Sequence, residues 1–243
     1  MASRSAKLRL HILGSKVHKW LALLIGVQVL LWMATGALMS FLDIERVRSE
    51  HVISRAPGVL ADDAAIPSWL EGEDGVVSLT TRALIGQTVV EVRRLNGDTS
   101  LHDPRSGRPL SPLSAATARF IALGAWKGPK TSIKGARLIE TAIGTEYRGP
   151  FPAWQVTYAD GDGTRVYIDA SNGAVLAARS DTWRLFDFIW GLHIMDWTQR
   201  DRINSWWLLV FGIGGTVIAL SGFVLLANRF PRIRMRRSPR ESK

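Results

Sequence analysis

Few side chains in this chain could ligate a metal or carry a proton near neutrality: five histidines, His11, His18, His51, His102 and His193, and no cysteine. An imidazole serves as a general base, a proton relay or a ligand, and ligation needs at least two of them brought together by facing elements. His18, His51 and His193 are the candidate ligands because they stand nearest the ends of the two longest apolar runs. His11, in a basic stretch, and His102, in a turn, are weaker candidates. No Ser-His-Asp spacing, HExxH helix or phosphate loop occurs, so hydrolase and kinase readings have no support. Asp160 and Asp162 in ADGDG look like the start of a calcium loop, but the remaining ligand positions are missing and a polar turn is the better reading.

The elements that would position these imidazoles follow from hydropathy and charge. Residues 20–42 and 206–228 are each 23 residues long and carry no charge. At ~1.5 Å per residue each reaches about 34 Å as a helix, enough to cross a ~30 Å hydrocarbon core. The first run exceeds the apolar length of a secretory signal and reads as an uncleaved anchor. The net charge of +10 sits at the ends: residues 1–19 hold five Lys/Arg and no acid, residues 229–243 hold seven and one Glu, and the 209 residues between them net −1. Nucleic-acid binding is therefore not expected, and the positive flanks place both termini on the cytoplasmic side. Trp20, Trp206 and Trp207 stand at the span ends, where amphipathic rings suit the headgroup level. Small residues four apart, Gly36 with Ser40 and Gly215 with Ala219, would pack the two helices of one chain or two chains of a dimer.

The 163 residues between the spans contain a repeat. At a constant offset of 66, Val90 matches Val156, Gly97 matches Gly163, Asp103 matches Asp169, Gly107 matches Gly173 and Leu110 matches Leu176. Asn96-Gly97 and Asp162-Gly163 are tight-turn pairs that predict a hairpin in each copy. The second shared turn, Asp-x-x-x-Gly, makes Asp103 and Asp169 turn-formers before catalytic acids. Segments near 76–85 and 135–141 supply one further strand per copy. After the first copy, Ser111 as cap and Pro112 at the first position predict a helix to about Trp126. After the second, Trp183, Trp190 and Trp197 recur every seven residues beside Phe186, His193 and Ile194, predicting an amphipathic helix against the bilayer surface or wedged between domain and spans. The expected fold class is α+β, two small sheet-and-helix lobes looped out of the membrane.

These residues resemble a known family. The hairpin ending in VYIDASNGAVLA, preceded by PAWQVTYADG, resembles the PepSY domain, and the first copy resembles a more divergent one. HKWLALLIGVQVLLWMATGALMSF and LHIMDWTQRDRINSWWLLVFGIGGTVIALSGFVLL are similar to PepSY-associated transmembrane helix proteins of the bacterial inner membrane. The resemblance implies a basic tail over 1–19, a transmembrane helix over 20–42, a periplasmic tandem PepSY-like domain over 43–181, an amphipathic interfacial helix and linker over 182–205, a transmembrane helix over 206–228 and a cytoplasmic basic tail over 229–243.

It also implies two activities. Larger members with four spans are haem-containing reductases linked to ferric siderophore uptake, whereas PepSY domains elsewhere restrain or chaperone peptidases. This chain has two expected spans and shows no nucleotide or flavin signature, so electrons would come from a quinone or a membrane redox partner. On the first reading it is a haem-linked redox or iron-acquisition accessory with haem b held by His18, His51 or His193. His51 lies nine residues past the first span and His193 thirteen before the second, about 6 Å apart in depth if both are helical. His18 has no cytoplasmic-side partner, so a haem there requires a homodimer. The plainer roles weigh more: an interfacial imidazole with one hydrogen bond for His193, a solvated one for His51 beside Arg48 and Glu50. On the second reading the chain is a non-enzymatic module that binds a periplasmic peptidase through a sheet edge.

Overall fold

A computed structural model describes residues 2–56, 68–70 and 74–229, with the side chains of residues 2–18, 21 and 221–229 outside the description. The chain divides into two compact units, one of Met1–Ala37 with Gly191–Lys243 and one of Leu38–Trp190.

In the first unit, helix α1 (Ala2–Phe41) runs for 40 residues, so the basic segment expected as a tail is helical from its start. Ala22–Phe41 is long and apolar enough to cross a membrane, and it is the one such helix among the described residues. Helix α5 (Trp206–Arg229) is 24 residues long, and its described apolar portion is Trp206–Leu220. The two helices touch through small residues. A Cβ on Gly214 would lie 2.5 Å from Ile25 Cδ1, and one on Gly215 would lie 3.7 Å from Val29. The small face expected at Gly215 and Ala219 is thus used within the chain, with Gly214 making its closest approach.

The second unit is built from the repeat. Asp43 caps the short helix α2 (Ile44–Val47). Strands β1 (Val76–Leu84), β2 (Gln87–Arg94) and β3 (Thr99–His102) form one antiparallel sheet in that order. Strands β4 (Ile133–Ile139), β5 (Ala153–Tyr158), β6 (Arg165–Asp169) and β7 (Val175–Arg179) form the other. Helix α3 (Ala115–Ala125) follows the first sheet and α4 (Asp181–His193) the second. The 66-residue offset therefore extends past the hairpins: β3 and β6 start 66 apart, as do α3 and α4.

Local chemistry accounts for the correspondence. Asp103 Oδ1 accepts from the backbone N–H groups of Arg105 and Ser106, and Asp169 Oδ1 accepts from those of Ser171 and Asn172. Gly107 and Gly173 close these turns at φ +68° and +76°. Ser114 Oγ caps α3 by accepting from Thr117 N–H, and Ser180 Oγ accepts from Trp183 N–H in α4.

Three expectations are corrected. The cap of α3 is Ser114, not Ser111; the Ser111 hydroxyl accepts from Leu101 N–H and donates to the Ser171 carbonyl, which ties the two copies together. Helix α4 stops at His193, and Trp197 lies beyond it in a loop. That loop is organised by Asp196, whose carboxylate accepts from the backbone of Thr198, Gln199, Asp201 and Arg202. Burial alone would raise this carboxyl, but the four N–H groups outweigh it and hold the pKa at about 2. The first copy also lacks a full last strand: where β7 lies in the second, the first has one bridge between His102 and Pro109, because prolines at 109 and 112 supply no ladder donors.

The third correction concerns the lobes. A single buried cluster contains Val89 and Leu101 of the first sheet, Ala118, Ile121, Ala122 and Ala125 of α3, and Val156, Tyr158, Val166, Ile168 and Ala178 of the second sheet. The copies share one core, with α3 inside it. Gly173 lies where they meet: its Cβ would stand 3.0 Å from Ile121 and Leu113 and 3.2 Å from Leu84.

Candidate functional site

Within the helical unit, His193 ends α4 with its ring over α1. A Cβ on Gly36 would lie 3.6 Å from His193 Cε1, an ordinary contact distance that places the imidazole against this face of α1. His193 Nδ1 is 2.9 Å from Thr35 Oγ1, and Thr35 is buried. The Thr35 hydroxyl donates to the Leu31 carbonyl at 2.7 Å, so the proton shared with His193 belongs on Nδ1. Thr35 was legible as a polar residue inside an apolar span, a position that favours a functional contact.

A bis-imidazole haem requires more than this. His193 is the one described imidazole side chain of the unit; His18 lies on α1 with its side chain outside the description, as does that of His11. Where Ile25 meets Gly214, α1 and α5 are in direct contact, with no gap for a porphyrin at that level. Among the described side chains of this unit His193 is thus the one candidate ligand. Among the described residues no group of three or more acidic or histidine side chains could hold a metal ion.

His51 belongs to the sheet unit. It is exposed and borders a cavity of about 360 Å³ with Lys130, Thr131, Asp160 and Asp162. Both aspartates have structural partners. Asp160 accepts from Thr164 N–H at 2.9 Å, and Asp162 accepts from Thr182 N–H at the start of α4. His102 is buried and stacks on Trp69, 5.1 Å between centroids. Its Nδ1–H donates to the Gly107 carbonyl and its Nε2 accepts from Ser100 Oγ, so both ring nitrogens hold the strand end in place.

The outer side of the second sheet carries a polar lock that sequence reasoning missed. Glu146, in the connection between β4 and β5, takes Arg165 at 3.0 Å, Arg184 of α4 at 2.9 Å and the Tyr167 hydroxyl at 3.0 Å. Burial would raise this carboxyl, but the Arg184 hydrogen bond and the charges of Arg184 and Arg165 outweigh it and hold the group below the usual glutamate range. Tyr147 stacks flat on Tyr167 at 4.2 Å, and burial pushes both phenols up to about 12.

The open features of the unit lie at the sheet edges. Among the described residues β1 and β4 are terminal strands, each paired on one side. A cleft of about 470 Å³ runs beside β1, between Leu84 and Ile85 on one side and Phe120 and Ile121 of α3 on the other. A second, of about 430 Å³, lies between α3 at Arg119, Phe120 and Leu123 and the lead-in to β4 at 131–133. Phe120 borders both and is 61% exposed. A groove beside an unpaired strand can receive an extended chain, whose backbone pairs with the edge while alternate side chains fill the groove.

Comparison with known proteins gives one finding: a family model described as the PepSY-associated TM region matches residues 15–243. No curated protein and no solved structure matches the chain.

Proposed function

Because the chain belongs to the PepSY-associated TM family, we propose that it is a membrane-anchored, non-enzymatic module that holds a partner protein by a sheet edge. α1 and α5 are read as two spans of the bacterial inner membrane, with both basic ends cytoplasmic and the sheet unit periplasmic. The observation that carries the reading is the pair of clefts at the free edges of β1 and β4, joined by the exposed ring of Phe120. A peptidase or another periplasmic protein with an extended segment is the proposed partner.

In-cell photo-crosslinking tests this. A photoreactive residue at Val77 of β1 or Leu138 of β4, both exposed, is expected to yield a discrete adduct with a periplasmic protein, whereas one at exposed Leu95 in the β2–β3 turn is not. Absence of an adduct at both edges overturns the reading. The topology is checked by reporter fusion: a periplasm-dependent reporter is expected to be silent after residue 243 and active near Gly75.

The placing of an imidazole, His193, against the apolar helix α1 favours a second reading, a haem-linked redox or iron-acquisition accessory. His193 would supply one axial ligand, and the other would come from a second copy or a membrane redox partner. The visible spectrum of the purified full chain separates the two. A Soret band lost in His193→Ala and retained in His102→Ala supports the redox role, and a colourless protein removes it.

A further inference from the structure

The groove between α3 and β4 has a charge character that its neighbours lack. From residue 104 to residue 139 the chain carries seven Lys/Arg and no acid. Four of these, Arg119, Lys127, Lys130 and Lys134, are exposed and form no ion pair among the described residues. The cations of the opposite face are occupied, Arg165 and Arg184 by Glu146 and Arg82 by Glu91. Arg119 lines the groove with the exposed side chains of Phe120 and Leu123, 61% and 45% exposed, Lys130 and Lys134 stand in sequence on either side of its 131–133 wall, and Leu138 further along β4 is 43% exposed. Thr131 Oγ1, on the wall of the same groove, is buried without a hydrogen-bond partner. Unsatisfied buried polar atoms are uncommon in finished interiors.

We propose that this groove receives an extended acidic peptide segment of a partner, added to the outer edge of β4 as a fifth strand. The inference rests on the partner-binding reading above and specifies its edge and its chemistry. Strand pairing satisfies the open backbone groups of β4, and the apolar side chains of the peptide lie against Phe120 and Leu123. Its alternate carboxylates pair with Arg119, Lys130 and Lys134, which steer the encounter and reject basic segments. β1 is the poorer edge for such a ligand because Glu91 stands in its cleft.

The test uses the purified full chain in nanodiscs of zwitterionic lipid and three dye-labelled seven-residue peptides read by fluorescence anisotropy. One alternates valine with glutamate, one alternates valine with lysine, and one carries the glutamates with proline at the central valine. The glutamate peptide is expected to bind at least tenfold more tightly than either of the others and to weaken as salt is raised. Lys130→Glu with Lys134→Glu, and separately Phe120→Ala, should each weaken it tenfold or more; all three residues are exposed, and unchanged circular dichroism verifies that the fold persists. Equal binding of the glutamate and lysine peptides overturns the proposal, as does unchanged affinity in the charge-reversed variant. Binding to phosphatidylglycerol vesicles with no binding of the glutamate peptide also overturns it, in favour of a lipid surface. Crosslinked partner at Val77 but not at Leu138 overturns this proposal while leaving the partner-binding reading intact, and no adduct at either edge overturns both.

Discussion

Shifted by 66 residues, Val89, Leu101 and Ala118 of the first copy become Gln155, Tyr167 and Arg184 of the second. The first set is fully or nearly fully buried in the shared core. The second set forms the polar lock around Glu146, where Gln155 donates to the Tyr167 hydroxyl and Tyr167 donates to Glu146. The same strand and helix positions are thus apolar in one copy and polar in the other, because Ala118 lies on the face of α3 that enters the shared core while Arg184 of α4 pairs with Glu146. The connections differ accordingly. β1 and β2 are joined by Ile85 and Gly86 alone, both at positive φ, whereas thirteen residues separate β4 from β5 and carry Glu146 and Tyr147 onto the open face. Where a repeat shares its core, its outer copy must cover its own exposed face, and an insertion between the first two strands does so here.

The shared core is most directly broken at Gly173. Gly173→Ala meets both a left-handed backbone and side chains at 3.0 Å, and is expected to cost about 3 kcal/mol. Gly107→Ala, the matching change, meets the same left-handed backbone and brings a Cβ to 2.8 Å from the Trp69 ring, which its stack on His102 and its bond to the Pro104 carbonyl hold in place, so a comparable cost of about 3 kcal/mol is expected. Pulse proteolysis of the full chain in urea reads both; a Gly173→Ala cost below about 1 kcal/mol would show that the junction of the copies is not tightly packed.

The polar lock comes next. Glu146→Ala leaves Arg165 partly buried without its ion pair and Arg184 with Asp181 alone, for an expected loss of about 2 kcal/mol, and removing Arg184 as well should add little because the partners act together. The Glu146 carboxyl is held below its ordinary value of 4.5, so its stabilisation is full above that pH and is lost as pH falls through the depressed value. The stability gap between the parent and Glu146→Gln should therefore be constant near neutrality and narrow in acid. A gap that widened in acid would contradict the ion-pair assignment.

A smaller effect separates the caps. Ser180 is buried and Ser114 exposed, although their hydrogen bonds match. Ser180→Ala should cost about 1 to 2 kcal/mol and Ser114→Ala about 0.5 kcal/mol. Hydrogen exchange at Trp183 and Thr117 N–H reports each one, and equal protection losses would mean that burial does not sharpen the second cap. The smallest change is expected at Thr35→Val, which removes the His193 contact from α1 while keeping the side-chain shape. It should raise the solvent exchange of His193 Nδ1–H without lowering the unfolding midpoint of the sheet unit, and a lowered midpoint would make that contact a prop of the fold.

Much of this was present in the order of the residues. The repeat, its Asp and Gly turns and the extra strand of each copy depend on hydrogen bonds and φ values spanning a few consecutive residues, which a local pattern encodes. The apolar run of α1 and the near-neutral balance of residues 20–228 are likewise read directly along the chain. Neighbourhood information failed where a choice lay between two locally adequate options. Ser111 and Ser114 both look like caps, and only the Leu101 and Ser171 contacts claim Ser111 for the junction. Ile85 carries no turn signal, yet sheet pairing forces it to φ +53°. The shared core around α3, the Ile25–Gly214 contact, the placing of His193 on Thr35 and the grooves at β1 and β4 were decided by the tertiary structure, because each depends on which distant surfaces meet and the residues of one surface do not name those of the other.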